Sequence, residues 1–424
     1  MTGRKSFYIV APMILFIIIF SLLIIWLFVL NRKKGASDET TLQSINLKTM
    51  DTPELKPFVW KKYINTTAAR ERNGVFEQVL DNGTIIRYSI DPWLQQKADS
   101  ILSHFKIPWA AVFMYSIKDG RILVFKGRSE KDKRLTDLEL ITKAWAPGAS
   151  VFKVVSASAL LSTGAVNVTD TWCYHGGSHR LTSKLLVENP AKDNKCVNLP
   201  MALAQSANVV FARLGKRYLT RKSLLYHASS WGFHMDFNFI LPVEKSRIKI
   251  LARDENAVAF TAAGFGEVTL SPFHGAWMMS IAGNDGIPVS PWLVESVKSS
   301  ENKILFSHKP EGTPQGRVIS STQAASLRKM LELTVTSGTA RDAFYKVDEA
   351  RYNFTCAGKT GTLARTEPEY LEYSWFTGYA PADKPEVVFA VALINPAKWR
   401  TKSIFVAATM LKLYFEKYHK EKSG

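Results

Sequence analysis

Cysteine is scarce in this chain: there are three in 424 residues, with no C-x-x-C pair. That excludes zinc-ribbon and thioredoxin-type chemistry, both of which need closely spaced thiols. The eight histidines form no H-E-x-x-H or comparable pattern, so the sequence names neither a metal nor a cofactor. Gly358-Lys359-Thr360 has the look of a phosphate loop, but such a loop needs glycine at position 353, where Asn353 stands. Acidic residues are in deficit, 37 against 55 Lys and Arg, leaving a formal charge of +18. These cations are scattered and no nucleic-acid motif accompanies them, so no nucleic-acid partner is expected. An anionic membrane surface or an acidic cell-wall polymer suits the charge instead. Internal repeats and low-complexity tracts are absent as well.

One long apolar run is present. Phe7 to Leu30 contains no charged residue, and at ~1.5 Å per residue it can span a bilayer. It is too long for the core of a secretory signal, and no small-x-small cleavage site follows. The expectation is therefore an uncleaved transmembrane anchor at 7–30 behind a short cytoplasmic tail, 1–6. Arg4 and Lys5 precede the run and Arg32, Lys33 and Lys34 follow it, so charge leaves its orientation open. Residues 31–82 mix Ser, Thr, Asp, Lys and Pro with few apolar repeats and read as a linker too short for an independent domain.

A single domain is expected over 83–424. Pro92 to Phe105 is helical by spacing. The runs Ala111–Ile117 and Arg121–Phe125, parted by Lys118-Asp119-Gly120, predict a hairpin. Leu199 to about Leu333 is mostly helical in pattern. Phe354–Leu363, Ser374–Ala380 and Val387–Ile394 read as strands, and Thr401–Lys420 as a closing helix. Two strands at the start, three at the end and helices between predict an α/β fold of the α+β kind. Its core would be an antiparallel five-stranded sheet flanked by helices.

The chemistry centres on Ser150-Val151-Phe152-Lys153, behind the breaker Pro147-Gly148. Val151, Val154, Val155, Ser158 and Leu161 recur at helical spacing until Gly164, which places Ser150 in a first helical turn and Lys153 on its face. A serine hydroxyl needs a neighbouring base, and a lysine serves only if burial or another cation lowers its pKa. Ser206-Ala207-Asn208 and Lys359-Thr360-Gly361-Thr362 follow in the chain. Each motif alone is an ordinary polar cluster. Together S-x-x-K, S-x-N and K-T-G form the signature set of penicillin-binding proteins and serine β-lactamases.

The chain resembles the penicillin-binding protein transpeptidases, class B-like and monofunctional, from about Ile85 to Lys420. Pro147-Gly148-Ala149-Ser150-Val151-Phe152-Lys153 and Ala357-Gly358-Lys359-Thr360-Gly361-Thr362 carry the likeness. So do Gly264-Phe265-Gly266 through Leu270-Ser271-Pro272, Gly338-Thr339-Ala340, and Trp375 to Pro381. The resemblance implies an all-helical lobe inserted in the sheet. It also implies a peptidoglycan D,D-transpeptidase: Ser150 attacks the bond between the last two D-alanines of a stem peptide, and β-lactams acylate the same serine. Lys153 would be the base, Ser206 a proton relay, and Asn208 a holder of the substrate amide and of Lys153. Lys359, Thr360 and Thr362 would take the terminal carboxylate, and Gly361 would allow close approach. Backbone N–H groups of Ser150 and Thr362 would form the oxyanion hole. No cofactor or metal is implied. The catalytic part would face the periplasm, anchored in the cytoplasmic membrane, with a membrane glycosyltransferase as a possible partner. In such a compartment Cys173 and Cys196 could be joined or stay reduced, and the sequence leaves both open. Cys356 is expected to pack as a small hydrophobe.

Other readings share the trio. A D,D-carboxypeptidase or endopeptidase differs only in using water as acceptor. A serine β-lactamase needs a group to activate water, and Glu244 lies at a suitable distance downstream, but Lys245-Ser246-Arg247-Ile248 does not complete the E-x-x-L-N pattern. A β-lactam sensor or a non-catalytic wall-synthesis scaffold is the non-enzymatic alternative. Ala149 departs from the usual Ser or Thr before the nucleophile. The pedestal that contacts membrane partners in larger relatives has no counterpart in the linker.

Overall fold

The computed structural model describes residues 62–177, 180–309, 316–348, 354–398 and 400–419. The expected anchor at Phe7–Leu30, its preceding tail and the linker up to residue 61 lie outside them. Among the described residues no helix is long and apolar enough to cross a membrane.

In chain order, strands β1 (Arg70–Arg72), β2 (Val75–Val79) and β3 (Ile85–Tyr88) lead into helix α1 (Pro92–Phe105). The predicted hairpin follows as β4 (Trp109–Ser116) and β5 (Ile122–Arg128), then α2 (Asp137–Thr142) and the short β6 (Ala146–Pro147). A 3₁₀ turn, Ala149–Phe152, feeds α3 (Lys153–Ser162). Next come β7 (Thr171–Tyr174), β8 (Lys195–Asn198), α4 (Leu199–Ala204), α5 (Asn208–Tyr218) and α6 (Arg221–Ser230). They are followed by β9 (Ile248–Lys249), α7 (Ala257–Ala262), β10 (Glu267–Leu270) and α8 (Pro272–Gly283). Strands β11 (Val294–Lys298) and β12 (Ile304–Ser307) precede α9 (Ser321–Thr336) and α10 (Arg341–Asp348). The chain closes with β13 (Ala357–Arg365), β14 (Leu371–Ala380), β15 (Val387–Asn395) and α11 (Ser403–His419).

The central sheet has the order β13-β14-β15-β4-β5, antiparallel throughout, so both ends of the domain build it as expected. Its middle strand β15 reads VVFAVALIN and is buried along its whole length, as a strand covered on both faces must be. On one face lies α8, mostly apolar and enclosed at every position. On the other, Leu94, Ala98 and Leu102 of α1 and Val406 and Leu411 of α11 pack against Val112, Val391 and Leu393. These two helices are also tied at a terminus: Asp91 caps α1 through the Leu94 N–H and accepts hydrogen bonds from Lys417 and Tyr418 of α11.

Three expectations need correction. Strands β1 and β2 fall inside the stretch read as a linker, 31–82, so the folded sheet begins by Arg70, not Gly83. They belong to a second five-stranded sheet, β1-β2-β3-β11-β12, which no sequence pattern announced. Arg70–Arg72 is charged throughout and Val75–Val79 does not alternate; β1 pairs with β2 and β2 with β3, itself held by β11 far along the chain. The lobe around α3 to α7 is not all-helical, because it includes the hairpin β7–β8 and the small sheet β6-β10-β9.

Candidate active site

Ser150 stands in the 3₁₀ turn before α3, not in the first turn of an α-helix. The Ala146–Pro147 bridge to β10 brings the chain in, and Ala149 then takes a left-handed φ of 44°. In a 3₁₀ turn, side chains at i and i+3 eclipse. Lys153 therefore lies directly over Ser150, with Nζ 2.8 Å from Oγ. Lys153 is fully buried, while Ser150 is half-buried at the surface of the cleft.

Three segments meet at the Lys153 amine. Besides Ser150 Oγ, it reaches Asn208 Oδ1 at 2.8 Å and the Ala263 carbonyl at 2.6 Å. Burial holds its pKa well below the ordinary lysine value, and the charge of Lys359 pushes the same way. A neutral amine has two N–H donors and one lone pair. The two carbonyl-type acceptors take both donors, which leaves the lone pair for the proton of Ser150. An amine so placed can act as the base for a serine nucleophile.

Asn208 opens α5, two residues after Ser206, whose φ of 57° turns the chain out of α4. The Asn208 amide nitrogen donates to the Gly177 carbonyl at 2.8 Å, which fixes the side chain with its oxygen toward Lys153. Gly177 has a φ of +77°, and a Cβ there would lie 2.3 Å from Val209 Cγ2, so no other residue fits. Ser206 is half-buried beside this cluster and makes no side-chain hydrogen bond among the described residues. Cys173 and Cys196 face each other across β7–β8 and are joined as a disulfide, at the base of the loop that carries Gly177.

The third motif forms the start of β13, an edge of the central sheet among the described residues. Lys359 is fully buried, and burial brings its pKa down to about 7; its Nζ donates to the Thr360 carbonyl at 3.0 Å. Thr360 Oγ1 lies 2.6 Å from Thr339 Oγ1, which gives the Gly338-Thr339-Ala340 triplet a contact at the site. A Cβ on Gly361 would be 3.1 Å from Val151 Cγ2, so the strand lies close against the nucleophile turn. Thr362 follows with its side chain exposed to the cleft. Gly264 completes the wall: its φ is +83°, and a Cβ would lie 2.4 Å from the Ala149 carbonyl.

Several residues fall outside this cluster. Trp375 is buried, donates from Nε1 to the Pro147 carbonyl at 2.9 Å, and stacks on Trp145. With Phe376 and Tyr379 it is sheet packing. Glu244 accepts a hydrogen bond from the Ala144 N–H at 3.0 Å and so pins the segment leading into β6. Cys356 is buried, with its thiol pushed up by burial. Two groups that hold the site were not named from sequence, the carbonyls of Ala263 and Gly177. Backbone acceptors leave no residue-type signal, although the glycines beside or at them do.

Known proteins resemble this chain in sequence and in fold. Peptidoglycan D,D-transpeptidase PbpA of Mycolicibacterium smegmatis is 29% identical over 258 residues, 59% of this chain and 50% of that protein. The chain spans about half or less of the length of the curated relatives it matches first. The crystal structure of the D,D-transpeptidase domain of a peptidoglycan glycosyltransferase from Eggerthella lenta superposes with a TM-score of 0.65 at 24% identity, covering 79% of this chain and 84% of that one. Penicillin-binding protein A of Mycobacterium tuberculosis, solved as an imipenem acyl-enzyme, gives 0.62 at 22% identity, covering 78% and 79%. These likenesses are in fold. The Transpeptidase family, described as the penicillin binding protein transpeptidase domain, matches residues 110–414, and the chain belongs to that family.

Proposed function

We propose that this protein is a peptidoglycan D,D-transpeptidase that works through a Ser150 acyl-enzyme and is inhibited covalently by β-lactams. The observation that carries the proposal is the buried Lys153 amine, whose Nζ lies within hydrogen-bond distance of Ser150 Oγ, Asn208 Oδ1 and the Ala263 carbonyl, with burial and the charge of Lys359 both lowering its pKa. Membership of the transpeptidase family supports it, as do the relative named a D,D-transpeptidase and the imipenem acyl-enzyme of a penicillin-binding protein with the same fold.

The Ser150 hydroxyl gives its proton to Lys153 Nζ as Oγ attacks the carbonyl between the terminal D-alanines. The tetrahedral oxyanion forms against the N–H groups of Ser150 and Thr362, donors fixed in advance by the 3₁₀ turn and by β13. The substrate carboxylate is held by Lys359, Thr360 and Thr362. The C–N bond then breaks, and the proton on Lys153 passes by way of Ser206 to the departing D-alanine amine. An amine of a second strand enters along the same route, is deprotonated, and takes the acyl group from Ser150. Asn208 orients Lys153 throughout.

Anchoring by Phe7–Leu30 in the cytoplasmic membrane, with residues beyond the linker in the periplasm, is part of the same proposal. The uncharged run supports it, and so does the Cys173–Cys196 disulfide, which suits an oxidising compartment. A glycosyltransferase in the same membrane would supply the strands to be joined.

The test is intact-mass analysis of the full chain with benzylpenicillin over hours, beside Ser150→Ala. The expected result is one long-lived adduct on the native chain and none on the variant. Rapid loss of the adduct with turnover of the drug would make the protein a β-lactamase instead. Glu244, held at Ala144, offers no obvious activator of water for that outcome. Incubation with a D-Ala-D-Ala peptide and a D-amino acid then separates amine from water as acceptor, since only a transpeptidase yields the exchanged peptide.

A further inference from the structure

Beyond Thr362, the far end of β13 runs into a cavity of about 220 Å³ that none of the roles above uses. Its walls are Trp109, Trp145, Leu371 and Tyr373, and its rim carries Glu139, Lys143 and Arg365. That volume is below the range of drug-sized pockets and holds about one amino-acid residue.

Two chains of contacts link the residues around Ser150 to this cavity. On one side, Trp145 stacks on Trp375 with ring centroids 6.2 Å apart, and Trp375 is bonded to Pro147, three residues before the nucleophile. On the other, Gly361 pairs with Trp375, Leu363 with Tyr373 and Arg365 with Leu371, so the cavity starts just past the oxyanion residue. At ~3.3 Å per strand residue, Arg365 lies about 10 Å beyond Thr362 along the sheet edge. An extended peptide can add to such an edge as a further strand. On the transpeptidase reading, the departing D-alanine lies toward Lys359 and Thr360. The rest of the acyl donor must then run the opposite way, toward Arg365.

The charges at the rim do not balance. Lys143 is taken by Glu139 at 2.7 Å. Lys131 is paired with Glu369 and sits over the Trp109 ring, 5.2 Å from its centroid. Arg365 is exposed and has no ion-pair partner among the described residues. One cation therefore stands unneutralised over an aromatic pocket. Guanidinium binds carboxylate in a two-pronged fork and tolerates an aromatic floor.

We propose that this cavity is a subsite for the donor stem peptide upstream of its D-alanines, and that Arg365 is a specificity residue that binds a stem-peptide carboxylate there. The proposal rests on the transpeptidase reading and extends it to the substrate. Two stem-peptide groups offer the same chemistry: the α-carboxylate of the γ-linked D-glutamyl residue, and the distal carboxylate of a diaminopimelyl residue. When either is an amide, or when lysine replaces diaminopimelate, that anion is gone.

The experiment uses the full chain and synthetic pentapeptides L-Ala-γ-D-Glu-X-D-Ala-D-Ala. The D-Glu α-group is acid or amide, and X is diaminopimelate or lysine. Each peptide competes with a fluorescent penicillin for Ser150, and one-to-one penicillin labelling counts active sites in every variant. For the native chain, the acid form of one of the two groups should acylate at least tenfold more efficiently than its neutral counterpart, which identifies the carboxylate. In Arg365→Gln that ratio should fall to within twofold while the neutral peptides are used as before; Arg365→Lys should keep an intermediate ratio. A native chain indifferent to both groups, or an Arg365→Gln chain that keeps the full preference, overturns the subsite. If the native chain takes no penicillin at Ser150, the transpeptidase reading itself has failed, and that outcome is separate.

Discussion

Replacing Lys359 by methionine should make the protein more stable and less active. Lys359 is fully buried, and burial takes its pKa from 10.5 to about 7. Each pKa unit corresponds to about 1.36 kcal/mol, so burying this ammonium opposes folding by about 5 kcal/mol below pH 7. Methionine removes the charge at similar length but forfeits the bond to the Thr360 carbonyl, worth about 1 kcal/mol. Relaxation around the site reduces the gain further, so about 2–4 kcal/mol is expected, or about 3–6 °C in Tm for a domain of this size. The folded pKa lies below the unfolded one, so the unfolded chain binds more protons between about pH 7 and 10.5. The native chain thus gains stability as pH rises through that window, and the variant's lead should close by its upper end. Penicillin acylation should drop by about 10²–10³-fold, as when one electrostatic partner is removed from an anion site. Its acid limb should also move to higher pH, because Lys153 loses the neighbouring charge that helps keep it neutral. Melting curves followed by circular dichroism from pH 6 to 10.5, with penicillin labelling rates alongside, test both halves. A variant that melts at or below the native chain at pH 7, or a lead that does not narrow, would refute the reasoning.

Two further expectations are independent of Lys359. His274 is buried in α8, bonded through Nε2 to the Trp231 carbonyl at 2.7 Å, and burial brings its pKa down to about 4. Its unfolded value of 6.5 is higher, so stability should fall as pH drops from about 6.5 to 4, by up to about 3 kcal/mol; urea titrations of His274→Gln should show a flatter slope there, and an unchanged slope refutes the assignment. Gly177→Ala forces a side chain onto Val209 and displaces the carbonyl that holds Asn208. Penicillin labelling should slow by at least about tenfold, ~1.4 kcal/mol of barrier, and a native rate would mean that Asn208 needs no such support.

Much of the site was legible because its chemistry is written in side chains at short spacings. Ser150 and Lys153 are neighbours in a single turn, and the K-T-G-T run lies on one strand, so local geometry suffices to bring each pair together. The turn type was not legible. Helical periodicity in Val151, Val154 and Val155 reads alike for an α-helix and a 3₁₀ entry, and what sets the difference is the distant pairing of Pro147 with Thr269. The central sheet was readable from strands with continuous apolar runs and a hairpin marked by Asp119-Gly120. The second sheet was not: Arg70–Arg72 and Val75–Val79 carry no pattern of their own and depend on Val294–Lys298 through β3. The disulfide was undecided for a related reason, since Cys173 and Cys196 face each other only once β7 and β8 pair.

The three contacts of Lys153 come from three distances in sequence: Ser150 is three residues away, Asn208 fifty-five and the Ala263 carbonyl a hundred and ten. An unfolded chain has none of the longer two, and its lysine would be an ordinary solvated cation. The base is therefore made by folding itself, and is complete only when α3, α5 and the segment after α7 have all docked. On the acyl-enzyme proposal, a chain that has not folded carries Ser150, Lys153 and Asn208 yet is not expected to be acylated. If penicillin acylates Ser150 as proposed, its labelling of a preparation counts molecules in which α3, α5 and the segment after α7 are all in place, and a partly folded population would pass unlabelled.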